Sequence, residues 1–314
     1  MQGRDLLSIA DLTPEELRRI VDLAVDMKRD GYQHLLAGKT LALLFEKASL
    51  RTNVSFNVAM QQLGGQAVYL GQSEVGLGQR ESVADVARVL SRYVDGIAAR
   101  TYSQQTLVDL ATHASVPIVN ALSDEEHPCQ AVADLLTIYE TKGHFHGLTL
   151  AFIGDGNNVA TSLAQAAAMV GMNFIIASPE GYELSDETLA HARQSAAKSG
   201  AQVSTIRSPQ DAVKQADIVY TDVWISMGQE DSYDDRLKAF EGYQVNRELL
   251  SHASRDVILM HDLPAHRGEE IVDEVIEGPQ SVVFDQAENR LHAQRAILAL
   301  LLADSQAGGR DARG

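Results

Sequence analysis

Short apolar runs alternate with helical patterns along most of the chain. The first run, residues 41–45, precedes a segment in which Phe56, Met60 and Leu63 recur at helical spacing, stopped by Gly64-Gly65. Three further runs follow, each next to a helical segment: QAVYL, GIAAR and VPIVNAL. Strands that alternate with helices in this way predict a parallel sheet covered by helices.

A second series begins after a helical segment with Val132, Leu135, Leu136 and Tyr139 that closes at Lys142-Gly143. Its apolar runs, again separated by helical patterns, are LTLAFIG, FIIASP, QVSTIR, DIVYTDVW and DVILMHDLP. Two such series predict an α/β fold with two doubly wound parallel-sheet domains linked by helices.

The two series also predict where the domains begin and end. We place the first domain at residues 1–142 and the second at 147–285. The closing helix, 286–304, is apolar on more than one side, so we expect it to pack back on the first domain. The tail, 305–314, is expected to be frayed.

Composition narrows the possible partners. The chain has 314 residues with 26 Lys+Arg against 43 Asp+Glu, a formal charge of −17, which argues against nucleic acid and anionic membrane. No apolar run reaches the roughly 18 residues of a membrane span, and the start lacks the apolar core of a signal peptide. The single cysteine, Cys129, permits no intramolecular disulfide, which fits a reducing compartment, the cytoplasm. Because the net charge is negative, an anionic substrate could be bound only where several arginines lie close together.

The first such concentration lies where the first strand passes into a helix, in FEKASLRT. Ser49, Thr52 and the free N–H groups of the helix would form an anion-binding nest, to which Arg51 adds a two-pronged donor. An ordinary helix cap with a solvated arginine explains the same residues equally well.

Three more strand ends or helix starts carry similar chemistry. Arg100 ends the strand GIAAR, His127 and Gln130 follow VPIVNAL, and Arg290 begins the last helix. A lone His-Pro pair usually caps a helix, but ligands in open α/β sheets bind beyond the carboxyl ends of strands. The grouping therefore predicts a binding site in the first domain.

The second domain offers polar residues at its own strand ends. Gly154-x-Gly156 follows a strand, yet Val159 stands where a dinucleotide fingerprint has its third glycine, which makes that motif weak. Asn157 and Asn158 fit polar ligand contacts better. Asp222 and the sequence His261-Asp262-Leu263 end two later strands. The histidines lack metal-ligand spacing.

With these motifs in place, the chain resembles the aspartate/ornithine carbamoyltransferase family over nearly its whole length. The shared segments are Phe-Glu-Lys-x-Ser-x-Arg-Thr at residues 45–52 and His-Pro-x-Gln at 127–130. GDGNN, DVWISMG, LPA and FDQAENR match the ornithine branch of the family, and the Ser-Met-Gly loop is the most specific of them.

The resemblance implies transfer of the carbamoyl group of carbamoyl phosphate to the side-chain amine of L-ornithine, giving L-citrulline and phosphate. It implies that Arg51, His127 and Asp262 are catalytic. The implied carbamoyl-phosphate ligands are Ser49, Leu50, Arg51, Thr52, Arg100, His127, Gln130, Leu263 and Arg290; the implied ornithine ligands are Asn158, Asp222, Ser226, Met227 and Asp262. It also implies arginine biosynthesis, no metal or organic cofactor, and a homotrimer or a multiple of trimers.

Three positions depart from the family pattern. Asn53 stands where a second arginine is common, and Gly76 where a glutamine is common. Asp262 replaces the cysteine of the ornithine branch, near the attacking amine. Two alternatives therefore stay open: a carbamoyltransferase for another amine such as putrescine, and a catalytically silent homologue that binds carbamoyl phosphate.

Overall fold

The computed structural model describes residues 1–78, 80–225 and 233–304. They form two compact units, the first made of Met1–Leu136 and the chain from Arg290, the second of Thr137–Asn289. The predicted frayed tail, 305–314, lies outside the described residues. Within the described part of the chain, no helix is both long and apolar enough to cross a membrane.

The first unit is built on a four-stranded sheet in the order β2–β1–β3–β4, in which every neighbouring pair is parallel. The strands are β1 (Thr40–Phe45), β2 (Gln66–Gly71), β3 (Gly96–Arg100) and β4 (Ile118–Leu122). The helices are α1 (Pro14–Asp30), α2 (Leu50–Gln62), α3 (Gln72–Val75), α4 (Val83–Leu90), α5 (Gln104–His113) and α6 (Pro128–Lys142).

The strands differ in burial according to their place in this sheet. β1 and β3 lie in the middle and are buried along almost their whole length. β2 is an edge strand that leaves Val68 and Tyr69 exposed by 45% and 39%. The β-rich composition of QAVYL therefore predicts the strand correctly but does not reveal its exposure.

The second unit carries a five-stranded sheet, also parallel throughout, in the order β7–β6–β5–β8–β9. The strands are β5 (Thr149–Ile153), β6 (Asn173–Ala177), β7 (Val203–Ile206), β8 (Ile218–Thr221) and β9 (Ile258–Met260). The helices are α7 (Asn158–Met169), α8 (Asp186–Ser199), α9 (Pro209–Val213), α10 (Tyr233–Ala239), α11 (Arg247–Leu250), α12 (Asp273–Ile276) and α13 (Val283–Leu302). Two parallel α/β sheets confirm the predicted fold class.

The C-terminal part of α13 packs within the first unit, as predicted. The buried Arg295 guanidinium donates to the carbonyl oxygen of Met27 at 3.3 Å and to that of Gly31, closing the end of α1. The Gly3 N–H donates to the Leu301 carbonyl at 3.0 Å. The helix begins at Val283, earlier than the predicted residue 286.

Sequence analysis omitted α1, although its signals are present. Thr13 caps the helix by accepting from the Glu16 N–H at 3.2 Å, and the Glu16 carboxylate accepts from the Thr13 N–H at 3.1 Å. Pro14 occupies the first helical position. Thr-Pro-Glu-Glu, a capping box with proline at N1, is therefore the sequence signal for this helix.

Phe240 offers a stability test of the second unit. Its buried ring lies 5.3 Å from the Trp224 ring and 4.9 Å from the Tyr182 ring, centroid to centroid. We expect Phe240→Ala to lower the free energy of unfolding by about 3–5 kcal/mol, because it leaves a cavity. Phe284→Ala, at a side chain exposed by 58%, is the matched control and should change it by less than about 0.5 kcal/mol. Urea unfolding measures both, and equal effects would contradict the assignment of Phe240 to the core.

Candidate active site

In each unit the strand order changes direction between two central strands, and the candidate residues follow those strands. In the first unit the change falls between β1 and β3; Ser49–Thr52 follow β1, and Arg100 ends β3. In the second unit it falls between β5 and β8; Asn157 and Asn158 follow β5, and Asp222 follows β8. Ligands of open α/β sheets bind in the crevice that this reversal opens.

The start of α2 combines a helix cap with a contact to the last helix. Ser49 Oγ accepts from the Thr52 N–H at 3.3 Å and donates to Thr52 Oγ1 at 3.0 Å. The buried Arg290 guanidinium donates to Thr52 Oγ1 at 3.1 Å and to Gln130 Oε1 at 2.6 Å. The cap interpretation is correct for Ser49, but Thr52 also belongs to a polar cluster that joins α2, α6 and α13.

Gln130 is fixed from both ends of its amide. Its oxygen accepts from Arg290, and its Nε2 donates to Asp134 Oδ1 at 2.8 Å. All three side chains are at least 97% buried, with exposures of 0% for Gln130, 0% for Asp134 and 3% for Arg290. A buried hydrogen-bonded network of this kind holds its members in one arrangement, so the Arg290 guanidinium is a preorganised positive charge.

His127 lies in the field of three arginines. Burial, followed by the positive charges of Arg290, Arg100 and Arg51, holds the pKa of His127 well below its usual range. The imidazole is therefore neutral at pH 7, with one ring nitrogen able to donate a hydrogen bond and the other able to accept one. The structure thus brings together His127, Gln130, Thr52 and the three predicted arginines.

The neutral state of His127 has a consequence for stability. The unfolded chain protonates this histidine near pH 6.5, whereas the folded chain does not, so the unfolding free energy falls as pH drops below about 6.5. This single group contributes up to about 1.4 kcal/mol per pH unit. We expect the free energy of unfolding, measured with urea between pH 7.5 and 5.5, to fall less steeply with decreasing pH in His127→Gln than in the native chain. The same substitution at the exposed His252 controls for the loss of an imidazole, and identical slopes in all three proteins would contradict the prediction.

Sequence analysis did not count Lys47 among the site residues. Burial, and then the charge of Arg100, lowers the pKa of Lys47. Its ammonium lies 4.6 Å from the centroid of the Tyr102 ring, a cation–π contact. Lys47 is a further positive charge near Arg100. Its position in the sequence, between β1 and Ser49, could have identified it as a site residue.

In the second unit, Asn157 links the start of α7 to the end of β8. Its Oδ1 accepts from the Val159 and Ala160 N–H groups, both at 3.0 Å, and its Nδ2 donates to Asp222 Oδ2 at 2.6 Å. Asn158 is partly buried, and its Oδ1 accepts from the Val159 N–H at 3.0 Å. Asn157, predicted together with Asn158 as a polar ligand contact, is thus a positioning residue for Asp222.

The close approach of a neighbouring backbone segment explains why residue 156 is glycine. A Cβ at this position would lie 2.3 Å from the Leu184 nitrogen and 2.4 Å from the Glu183 carbonyl carbon. The backbone of the 183–184 segment therefore requires glycine here, without reference to a dinucleotide. This agrees with the weak fingerprint inferred from Val159.

Asp222 and Asp262 form a pair of interacting carboxyl groups. Burial, followed by the negative charge and hydrogen bond of Asp262, raises the pKa of Asp222 well above its usual range. The negative charge of one carboxyl group disfavours ionisation of the other, so the pair loses its last proton at a higher pH than an ordinary carboxyl group does. Ligand atoms of Asp222, His261 and Asp262 lie within 4.8 Å of one another, an arrangement that suits a cation, an ammonium group included.

His261 and Glu270 support this pair, and sequence analysis did not assign either to the site. His261 Nε2 lies 3.1 Å from Glu270 Oε1, and its Nδ1 accepts from the Leu263 N–H at 2.9 Å. Burial lowers the pKa of His261, whereas contacts to Asp262 and Glu270 raise it by favouring the charged ring. The Leu263 amide opposes that charged form. Because the Asp262 contact is longer, at 3.5 Å, we assign a neutral ring with its proton on Nε2.

Leu263 has an unusual backbone conformation that no sequence pattern predicts. Its φ is +61°, in the left-handed region that leucine rarely adopts. Such a conformation costs on the order of 1–3 kcal/mol and tends to occur at functional sites. The hydrogen bond from its N–H to His261 helps to hold it.

The remaining predicted residues are placed as follows. Leu50 is the first residue of α2 and is 77% exposed. Ser226 and Met227, in the Ser-Met-Gly loop, lie outside the described residues. Of the three departures, Asn53 accepts from Asn57 Nδ2 at 2.7 Å one turn along α2, and Gly76 ends α3 in the left-handed conformation with φ +58°.

Two family models match the chain one after the other. Residues 4–140 match the model of the carbamoyl-P binding domain of aspartate/ornithine carbamoyltransferases, and residues 146–301 match that of their Asp/Orn binding domain. An ornithine carbamoyltransferase of Pyrococcus abyssi is 52% identical over 312 residues, which is 98% of each chain.

Two solved structures are similar throughout. Ornithine carbamoyltransferase from Pyrococcus furiosus has a TM-score of 0.93 and 50% identity, covering 99% of both chains. The enzyme from Gloeobacter violaceus has a TM-score of 0.88 and 50% identity, covering 96% of this chain and 100% of its own.

The chain belongs to the aspartate/ornithine carbamoyltransferase family and is a carbamoyltransferase, a transferase enzyme. Its predicted resemblance to the ornithine branch is confirmed by these relatives.

Proposed function

We propose that this chain transfers the carbamoyl group of carbamoyl phosphate to the side-chain amine of L-ornithine, giving L-citrulline and phosphate. The observation that carries the proposal is the buried cluster in which Arg290 bridges Thr52 and Gln130, beside a neutral His127 that three arginines surround. The chain has a net charge of −17, so a group of arginines beside one buried cluster indicates an anion-binding site.

In this proposal the first unit binds carbamoyl phosphate. Ser49, Leu50, Arg51 and Thr52 surround the phosphate with hydroxyls and with the N–H groups at the start of α2, where the helix dipole also favours an anion. Arg100 and Arg290 add charge-assisted donors. His127, Gln130 and Arg51 polarise the carbonyl group.

The reaction asks for positioning and charge more than for covalent work. The ornithine nitrogen attacks the carbamoyl carbon, a tetrahedral oxyanion forms, and the C–O bond to phosphate breaks while the nitrogen loses a proton. Donors that are already fixed stabilise the developing oxyanion without reorganising during the reaction. The fixed Arg290–Gln130–Asp134 network is such an arrangement.

The second unit binds ornithine in this proposal. The Asp222–Asp262 pair suits ammonium groups, and Asn158 suits the α-carboxylate. Ser226 and Met227 are proposed as further ornithine ligands on the resemblance alone, and so is Leu263 as a ligand of carbamoyl phosphate. Asp262 stands where the ornithine branch has cysteine, so we propose that it acts beside the attacking amine.

The acceptor amine is the decisive test. We expect carbamoyl phosphate with L-ornithine to give citrulline, and putrescine, lysine and N-acetylornithine to give far less carbamoylated product. Putrescine lacks the carboxylate, and N-acetylornithine lacks the α-ammonium that Asp222 would hold, so each leaves polar groups of the site unsatisfied. A preference for putrescine would favour the alternative acceptor, and no turnover with any amine would favour the silent homologue.

We also propose a cytoplasmic enzyme of arginine biosynthesis that assembles as a homotrimer or a multiple of trimers. The compartment rests on the one cysteine: Cys129 is buried, and burial raises the pKa of its thiol to about 12. The pathway and the assembly rest on the family resemblance. Light scattering of the purified protein tests the assembly.

A further inference from the structure

A second group of ligating side chains lies in the turn after Pro264. His266, Glu269 and Glu270 each place one ligand atom within 4.8 Å of the others. The Glu270 side chain is fully buried, whereas those of His266 and Glu269 are 42% and 25% exposed. The group therefore has a closed inner side and an open outer side, through which an ion could enter.

One oxygen of each carboxylate is held by a hydrogen-bond donor. Glu270 Oε1 accepts from His261 Nε2 at 3.1 Å and from the His266 N–H at 2.6 Å. Glu269 Oε1 accepts from the Tyr233 hydroxyl at 2.7 Å. Metal-ligating carboxylates are commonly oriented in this way by donors outside the ligand set.

The second oxygen of each carboxylate is buried and accepts no hydrogen bond from the described residues. For the fully buried Glu270 this is costly, because a buried carboxylate oxygen needs a donor or a cation. The unsatisfied oxygen of Glu270 is an observation independent of the clustering, and it points to a positively charged ligand.

The distance between His266 and Glu269 fits a coordination shell better than a hydrogen bond. His266 Nδ1 lies 3.5 Å from Glu269 Oε2, whereas a charge-assisted hydrogen bond measures about 2.7–2.9 Å. Zinc binds nitrogen and oxygen ligands at about 2.0–2.2 Å, which separates two ligands of a tetrahedron by about 3.4 Å. One ion between the two atoms would therefore need little movement of either.

We propose that His266, Glu269 and Glu270 bind a divalent first-row transition-metal ion of the zinc class, with water completing its shell. One imidazole nitrogen and two carboxylate oxygens are a donor set that suits such ions. The ion compensates two neighbouring carboxylates. Through Glu269 and Tyr233 it also fastens the first residue of α10 to this turn. This site is not the one proposed for carbamoyl transfer, although Glu270 contacts both, because its Oε1 also accepts from His261 Nε2.

Zinc chloride titrated calorimetrically into the full chain, after dialysis against a chelator, tests the proposal. We expect one ion per chain and at least about tenfold weaker binding in both Glu269→Gln and His266→Asn. Glu241→Gln and His252→Asn, at exposed positions elsewhere in the second unit, are the matched controls and should bind zinc like the native chain. Cobalt chloride should give the visible absorption of a low-coordinate ion in the native chain and lose it in Glu269→Gln.

Two outcomes would overturn the proposal. One is the absence of saturable zinc binding. The other is binding that survives Glu269→Gln but disappears in Asp262→Asn, which would put the ion on the Asp222–His261–Asp262 group instead. If His266→Asn does not fold, Glu269→Gln decides alone, because its side chain is partly exposed and its circular dichroism can be compared directly with that of Glu241→Gln.

Discussion

Arg51→Ala should lower kcat/KM for carbamoyl phosphate on the order of 100-fold or more, because a charge-assisted donor to the developing oxyanion is lost. Arg51 lies in the first turn of α2, and its charge helps to hold His127 neutral. Steady-state kinetics with ornithine at saturation measures the loss.

Two further variants separate charge from geometry at this position. Arg51→Lys keeps the charge but loses the two-pronged guanidinium, so its activity should fall between those of the native and alanine forms. Arg88→Ala, at an exposed arginine of the same unit that contacts Asp85 at 3.1 Å, should leave kinetics unchanged. Near-native turnover and KM in Arg51→Ala would remove Arg51 from the proposed site.

Asp262→Asn should move the acid side of the pH profile of kcat/KM for ornithine to lower pH. In the native chain, burial and the neighbouring Asp262 raise the pKa of Asp222, so Asp222 recovers its proton at a higher pH than an ordinary carboxyl does. A protonated Asp222 no longer attracts an ammonium group. Removing the charge of Asp262 leaves burial as the main cause of the shift, so the pKa of Asp222 falls but stays above its ordinary value.

The cysteine form tests the same position against the ornithine branch of the family. Compared with Asp262→Cys, the native enzyme should bind ornithine more tightly and reach its maximal rate at higher pH. A second carboxylate attracts the side-chain ammonium but makes it harder to deprotonate, and only the free amine attacks. If the three pH profiles coincide, Asp262 has no electrostatic role. If Asp262→Asn loses most of kcat while the acid side of its pH profile stays where it is in the native enzyme, Asp262 acts as a general base.

The fold followed from the sequence because strands and helices have different periods. Runs such as GIAAR are short, apolar and bounded by polar residues, so their limits coincide with β3. The same logic placed Arg100 and Asp222 at strand ends, where ligands bind. Arginine clustering could be predicted because an acidic chain makes each grouped arginine informative.

Contacts across strands could not be predicted in the same way. Asp222 follows β8 and Asp262 follows β9, and their pairing depends on those strands being neighbours, which the order of the chain does not reveal. The left-handed Leu263 and the buried oxygen of Glu270 depend on the conformation of one turn. No periodicity describes such a turn, so Glu270 and its contact with His261 were not predicted.

The anchoring of α13 by Arg295 bears on the order of events during synthesis. The first unit needs the chain from Arg290 onward: Arg295 closes α1, Arg290 joins Thr52 to Gln130, and Leu302 packs against Gly96. A ribosome makes these residues after the whole of the second unit. Domains generally fold as they emerge. The second unit can therefore finish folding first. Until the residues from Arg290 onward have been made, the first unit keeps part of its apolar surface exposed.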